Sequence, residues 1–389
     1  MPDYVRQFRD FFVSIRLTVV LLVLSMILIF WATWAQVELG VWGVQQKFFH
    51  AFFVLQEVSR TGIFVPVFPG GYFIGGLLLI NLLAAHIYRF RLEWRKAGIQ
   101  LTHAGLILLL LGELFTGLMS RESTMSLDEG ETKQYSESDR KFELAVMDTT
   151  HPDYNQVVAI PEAVLAGTGT VQQPQLPFQV RIHEYYPNAA LQLRSQAPNL
   201  PPSRATAGIG PGIAVLPLGL ATKENERNSA AALVELIGTE GSLGTWLVSP
   251  LLGQPQKVSY RGRTWELALR LQRYYQPYSV KLIKFTHEKY AGTEIPRNFA
   301  SRIHLATADH REDREVLIYM NNPLRYAGLT YYQASFDPRN DHNTILQVVR
   351  NPGWRLPYLA CIMMFFGLVI QFGLHLTGFF QKRSAATAA

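Results

Sequence analysis

Apolar residues are spread unevenly along the chain. They gather in four long runs, and between the third and fourth the pattern changes to short, partly alternating stretches. The runs cover about 17–35 (LTVVLLVLSMILIFWATWA), about 71–88 (GYFIGGLLLINLLAAHIY), about 99–119 and about 356–380 (LPYLACIMMFFGLVIQFGLHLTGFF). Each is near the ~20 residues a helix needs to cross a bilayer core. The pattern predicts four transmembrane helices. The first run is too long for a cleaved signal peptide, and no small-x-small site closes it.

The remaining segments fall into two kinds. Residues 36–70 follow the first run. There GVWGVQQKFFHAFFVL is aromatic-rich, and it predicts a helix lying in the membrane interface. A packed hairpin is the competing reading. FPGG at 68–71 breaks the chain before the second run. Residues 120–355 carry stretches such as FQVRIHEYY, TWELALRLQRYY, YSVKLIKF, ASRIHLAT and LTYYQASF, rich in β-branched and aromatic residues. Turn residues such as Asn321-Asn322-Pro323 and Asp337-Pro338 separate them. Roughly ten such strands predict a β-sandwich or two packed sheets. Residues 178–187 and 278–290 are loosely alike, and 188–232, rich in Pro, Ala, Gly and Asn, read as a looser excursion. The expected fold is an integral membrane α-helical protein of four transmembrane helices, with a large, mainly-β extracytoplasmic domain inserted between helices three and four. Its parts are 1–119, 120–355 and 356–389.

Charge sets the expected orientation. Arg6, Arg9 and Arg16 precede the first run; Arg89, Arg91, Arg95 and Lys96 join the second to the third; Lys382 and Arg383 follow the fourth. The loop between the first two has only Lys47 and Arg60, offset by Glu38 and Glu57. Basic residues in short loops stay cytoplasmic, so both termini are expected in the cytoplasm of a bacterium and 120–355 outside its inner membrane. Over 120–355 the 25 Lys and Arg nearly cancel the 24 Asp and Glu, so the net charge of +6 lies mostly beside the membrane. That excludes a basic nucleic-acid surface. The single cysteine, Cys361, lies in the fourth run, which leaves the outer part without disulfides and the chain without a Cys-x-x-Cys-His haem attachment motif.

Histidines carry the candidate chemistry. His151, His183, His287, His304, His310 and His342 fall in the polar part and read as ordinary strand or surface residues. Three others sit in apolar runs. His86 is three residues before Arg89, His103 seven after Lys96, and His375 seven before Lys382. At ~1.5 Å rise per residue all three come near one membrane face. A polar side chain in lipid costs free energy and asks for a reason. His103, the deepest among apolar neighbours, is the leading candidate; His86 also reads as an interfacial residue, and His375 as a helix-packing partner beside Gln371. Neutral imidazole is a metal ligand and a proton carrier, and haem iron takes it axially between apolar helices. Glu113 is ten residues from His103, about 80° round the helix, and reads as structural rather than as part of a proton path. No run holds two histidines, which argues against a di-haem b-type cytochrome.

FPGGYFIGGLLLINLLAAHIYRF (68–90), LTHAGLILLLLGE (101–113) and NNPLRYAGLTYYQASFDP (321–338), in that order, resemble the ResB (CcsB) proteins of System II cytochrome c biogenesis. The resemblance covers nearly the whole chain. It implies a haem-handling subunit of the cytochrome c synthase, accessory rather than catalytic by itself. Such a subunit works with a tryptophan-rich CcsA- or ResC-type membrane protein. The two pass haem b outward to apocytochrome c, with thiol-reducing membrane proteins acting indirectly. His103 matches the family's third-span axial ligand, and the second ligand is expected from the partner. The seven tryptophans here are scattered and form no haem-handling loop. The competing function is a haem b redox subunit linked to quinone, ligated by His86 with His103 or His375.

Overall fold

The structure, a computed structural model, describes residues 3–388 apart from 59–61, 90–92, 168, 197–198, 201–202, 224–225, 290–291 and 293–295. Arg60, Phe90, Arg91 and Tyr290, used above, lie outside the described residues. Two compact units emerge. One comprises Met1–Arg121, Thr222–Glu224 and Arg350–Ala389; the other comprises Glu122–Ala221 and Asn225–Val349.

The first unit is helical. Helix α1 (Asp3–Phe12) is amphipathic, and α2 (Ile15–Val44) starts at Ser14, whose hydroxyl accepts from Arg16 N at 3.2 Å. That bond satisfies one of the orphan donors of a helix start. The remaining long helices are α3 (Gly71–Arg89) and α4 (Ala97–Met119), with a last one ending the chain. Four segments are long and apolar enough to cross a membrane: Ile15–Phe49, Gly71–Tyr88, Trp94–Met119 and Leu356–Gln381. The first runs well past the expected residue 35. It bends at Gly40 (φ 71°), a conformation costly for other residues, and ends in a π-type turn, Gln45–Phe49. An antiparallel hairpin, Phe53–Glu57 with Phe64–Pro69, follows. Residues 36–70 are thus helical first and hairpin after.

Apolar packing joins α2 to α3 through Leu21, Leu28, Ala32, Phe48, Val54 and Ile74. Asn81 is the polar exception and is fully used. Its Nδ2 donates to Phe12 O (2.7 Å) and Ser14 O (3.2 Å), and its Oδ1 accepts from Thr18 Oγ1 (2.7 Å). It pins the elbow between α1 and α2 onto α3.

The second unit is mainly β, with one helical turn, α5 (Glu162–Leu165), and the last long helix of the chain is therefore α6 (Leu356–Ala388). A ten-stranded sheet is built around two very long strands, Thr132–Asp148 and Arg263–Lys289, which pair antiparallel. A four-stranded sheet holds Gly241–Val248, Ala231–Gly238, Gln179–Tyr186 and Gly169–Val171. Period-2 alternation sorts the side chains: Val180 and Ile182 point into the core while Arg181 and His183 point out. The two sheets share one core, which includes Leu144, Val146, Val180, Val234, Trp265 and Leu267. A second core, containing Leu127, Val280, Leu282, Ile303, Tyr331 and Leu346, lies along the far half of the long strands. The expected packing of two sheets is therefore present, with one sheet extended into a second core. Within 188–232, Ala189–Leu193 and Ile213–Pro217 form a small antiparallel pair. The two loosely alike stretches fall in different sheets.

Candidate functional site

Glycines decide how closely α4 approaches α6. A Cβ placed on Gly98 would sit 2.6 Å from both Gln371 N and Gly367 O, and one on Gly105 would meet Met364 Cγ at 2.6 Å. Gly112 faces Leu356 in the same way. The two helices run antiparallel in near backbone contact, as small residues allow. Thr116 and Asn351 close the top of the pair, with Asn351 Nδ2 donating to Thr116 Oγ1 at 3.4 Å. In α3, Gly71 meets Phe49, but Gly75 and Gly76 face open space: a Cβ on either would meet nothing within 4 Å.

The register of α3 against α4 follows from Tyr72, whose hydroxyl lies 3.9 Å from the Cβ position of Gly117. The helices are antiparallel. Fourteen residues on from Tyr72 is His86, and fourteen back from Gly117 is His103, so the two imidazoles stand level at the far end of the pair. His86 is half-buried and His103 exposed. His103 is five residues from Gly98 and two from Gly105, which at 100° per residue turns it to the side of α4 opposite α6. Ile99 and Leu106, one turn either way, are exposed on that same face.

His375 does not join them. Gly98 lies beside Gln371, so His375 is level with the Trp94–Lys96 turn, about 13 Å below His103, on the helix that His103 faces away from. Counting from the flanking lysines put all three imidazoles at one level; helix register brings two together and leaves the third apart. Glu113 is exposed on α4, ten residues along from His103.

An exposed imidazole framed by exposed aliphatic side chains suits a flat, apolar ring whose metal takes nitrogen. That is the chemistry of a porphyrin. Among the described residues no three His, Cys, Asp or Glu cluster to cage a bare metal ion.

The histidines of the β unit behave as strand residues. His183 meets Glu235 at 3.0 Å, His304 meets Asp313 at 2.6 Å and His342 meets Glu129 at 2.9 Å. His287 differs. It stacks on Phe299 (4.8 Å) and lies 4.6 Å from Phe336, with its Nε2 buried and unbonded. Sequence reading passed over it, because alternation in a strand does not show which aromatic rings converge from elsewhere.

Two comparisons bear on the family. The ResB-like family model matches residues 260–344. Protein NrfI of Wolinella succinogenes is 27% identical over 300 residues, which cover 76% of this chain and 29% of NrfI. The chain therefore spans less than a third of the length of that relative. The matched 260–344 segment holds the Arg263–Lys289 strand, its neighbour Pro296–Thr307, the Asp313–Tyr319 strand beyond that, and Tyr331 of the second core. The likeness to the ResB-like family is thus carried by the 260–344 segment of the β unit.

Proposed function

We propose that the chain acts in cytochrome c maturation as a haem-handling membrane subunit. It holds haem b in transit at the α3–α4 face and serves its covalent attachment to apocytochrome c together with a tryptophan-rich CcsA-type protein. The ResB-like match over 260–344 and the likeness to NrfI support the maturation role. The observation that carries the haem role is His103, an imidazole exposed on an apolar helix face level with His86.

In this reading both termini are cytoplasmic, the β unit is extracytoplasmic in a bacterial inner membrane, and the histidine pair marks the cytoplasmic end. His103 would hold the haem iron through an imidazole nitrogen, with a second nitrogen supplied by the partner. Ile99 and Leu106 shelter the ring edge from water. The α4–α6 pair, locked by Gly98, Gly105 and Gly112, keeps the His103 backbone fixed while its open face receives a second protein. Haem, when bound, supplies the iron and the vinyl groups that become thioethers; this chain orients and shelters it.

The level placement of His86 favours a second reading, in which His86 and His103 of this chain would together hold the haem, which would carry electrons. One experiment separates the two. The chain is purified alone and with a CcsA-type partner, as wild type, His86→Ala and His103→Ala, and the Soret band and cytochrome c yield are measured. The maturation reading expects haem only in the complex, a band weakened about tenfold or more by His103→Ala, and little effect from His86→Ala. Haem held by the chain alone and lost in both variants would favour the redox reading. A complex with no haem, or with haem and yield indifferent to position 103, would sink the haem role.

A further inference from the structure

The Arg263–Lys289 strand has Thr132–Asp148 along one side, from Trp265 opposite Asp148 to Lys281 opposite Thr132. On its other side it has two separate neighbours. Gln256–Tyr260 covers its first residues, as far as Gln256 opposite Leu267. Pro296–Thr307 pairs with it from Tyr278, opposite Thr307, onward. Leu267 pairs with both Gln256 and Val146, and Val280 with both Leu305 and Lys133, so the two short neighbours share the edge across from Thr132–Asp148. Between them, residues 268–273 have a main-chain partner on one side only, among the described residues.

The chain shuts itself out of this gap. Continuing Gln256–Tyr260 backwards would set Pro255 opposite Ala268, and proline has no N–H to give. Gly253 then turns the chain away with a φ of 73°. Exposed edges are commonly guarded by charged side chains. Here the two candidates are engaged: Arg270 lies 3.0 Å from Glu143, and Arg273 2.8 Å from Glu137, both on the neighbouring strand. A cavity of about 380 Å³ opens directly on 267–271, with Phe142 and Leu252 among its apolar lining. Its charged lining, Glu137, Asp139, Arg227 and Arg270, cancels in sign. A neutral groove over unpaired amides complements an uncharged main chain. It does not suit a nucleic acid or an anionic lipid, which need net positive charge.

We propose that residues 268–273 take up an extended segment of an unfolded polypeptide as an added strand. Six residues offer ~20 Å of edge, enough for main-chain hydrogen bonds to give affinity while alternate side chains meet the groove. Naming the occupant as apocytochrome c, a chain that must be unfolded to receive haem, rests on the function proposed above.

The test is hydrogen–deuterium exchange on the full chain in detergent micelles. It is run alone at two concentrations, with excess haem-free, thiol-reduced apocytochrome c, and with reduced carboxymethylated α-lactalbumin as an unrelated unfolded chain. Apocytochrome c should slow amide exchange in 268–273 about tenfold or more. If it co-elutes with the chain but protects only other segments, the edge proposal fails and the maturation reading stands. Protection of 268–273 by α-lactalbumin but not by apocytochrome c keeps the edge site and counts against the cytochrome reading. Protection that appears on raising the chain's own concentration makes the edge a self-association surface, and no protection under any condition means no strand is added; either result overturns the proposal.

Discussion

The hydroxyls of Tyr278 and Tyr331 meet at 2.8 Å inside the second β core, where Tyr331 has no exposed surface. Both lie in the family-matched segment, Tyr278 on the long strand and Tyr331 53 residues later. One phenol donates and the other accepts, and burial pushes the pKa of both upward. Tyr331→Phe leaves the Tyr278 hydroxyl without its partner in an apolar site, which should cost about 1–3 kcal/mol. The double replacement of Tyr278 and Tyr331 by Phe should cost less than twice that, because no polar group is then stranded. Chemical unfolding of the purified chain, followed by tryptophan fluorescence, measures both. A single variant as stable as wild type would show that the pair is satisfied otherwise.

Glycine positions in the helical unit should divide sharply. Gly98→Leu drives a side chain into Gln371 N and Gly367 O, which are backbone and cannot step aside. We expect a loss of about 3 kcal/mol or more, read as a lowered melting temperature in detergent. Gly75→Ala meets nothing and should match wild type or gain up to ~1 kcal/mol from helix propensity. Equal effects at the two positions would contradict the α4–α6 crossing described here.

Acid should weaken the β unit partly through Glu235. A hydrogen bond from Ser242, then one from His183, then the Arg181 charge hold its carboxyl below the usual glutamate value of 4.5. A depressed carboxylate stabilises the fold above its unfolded pKa and loses that contribution as pH falls through the folded one. Wild type should therefore lose urea resistance below about pH 4.5 more steeply than Glu235→Gln, which starts lower at neutral pH. Parallel curves for the two between pH 3.5 and 7 would rule out this role. Asp148, held down by Thr150 and then Arg263, titrates in both and cancels from the comparison.

Length and apolarity alone revealed the four helices, because the requirement for ~20 apolar residues leaves few alternatives. Strand alternation marked the β unit, and Val180 and Ile182 point inward as read. What sequence did not reveal was register between elements distant in the chain. His86 and His103 share a level because Tyr72 meets Gly117, whereas His375, counted from Lys382, falls elsewhere because Gly98 sets the α6 register. Gly75 and Gly76 look like Gly98 and Gly105 in the sequence, and only the packing separates them. The bend at Gly40 was hidden for a similar reason. Apolar character continues through Val44, and the π-type turn beyond it is not written in hydropathy.

The Thr116–Asn351 bond joins residues 235 apart. A ribosome adding ~5–20 residues per second needs tens of seconds to make the stretch between them. For that time α4 has Gly98, Gly105 and Gly112 presented as an unfilled notch. The nascent protein must therefore tolerate, or borrow a chaperone or insertase for, a helix whose mate has not yet been translated.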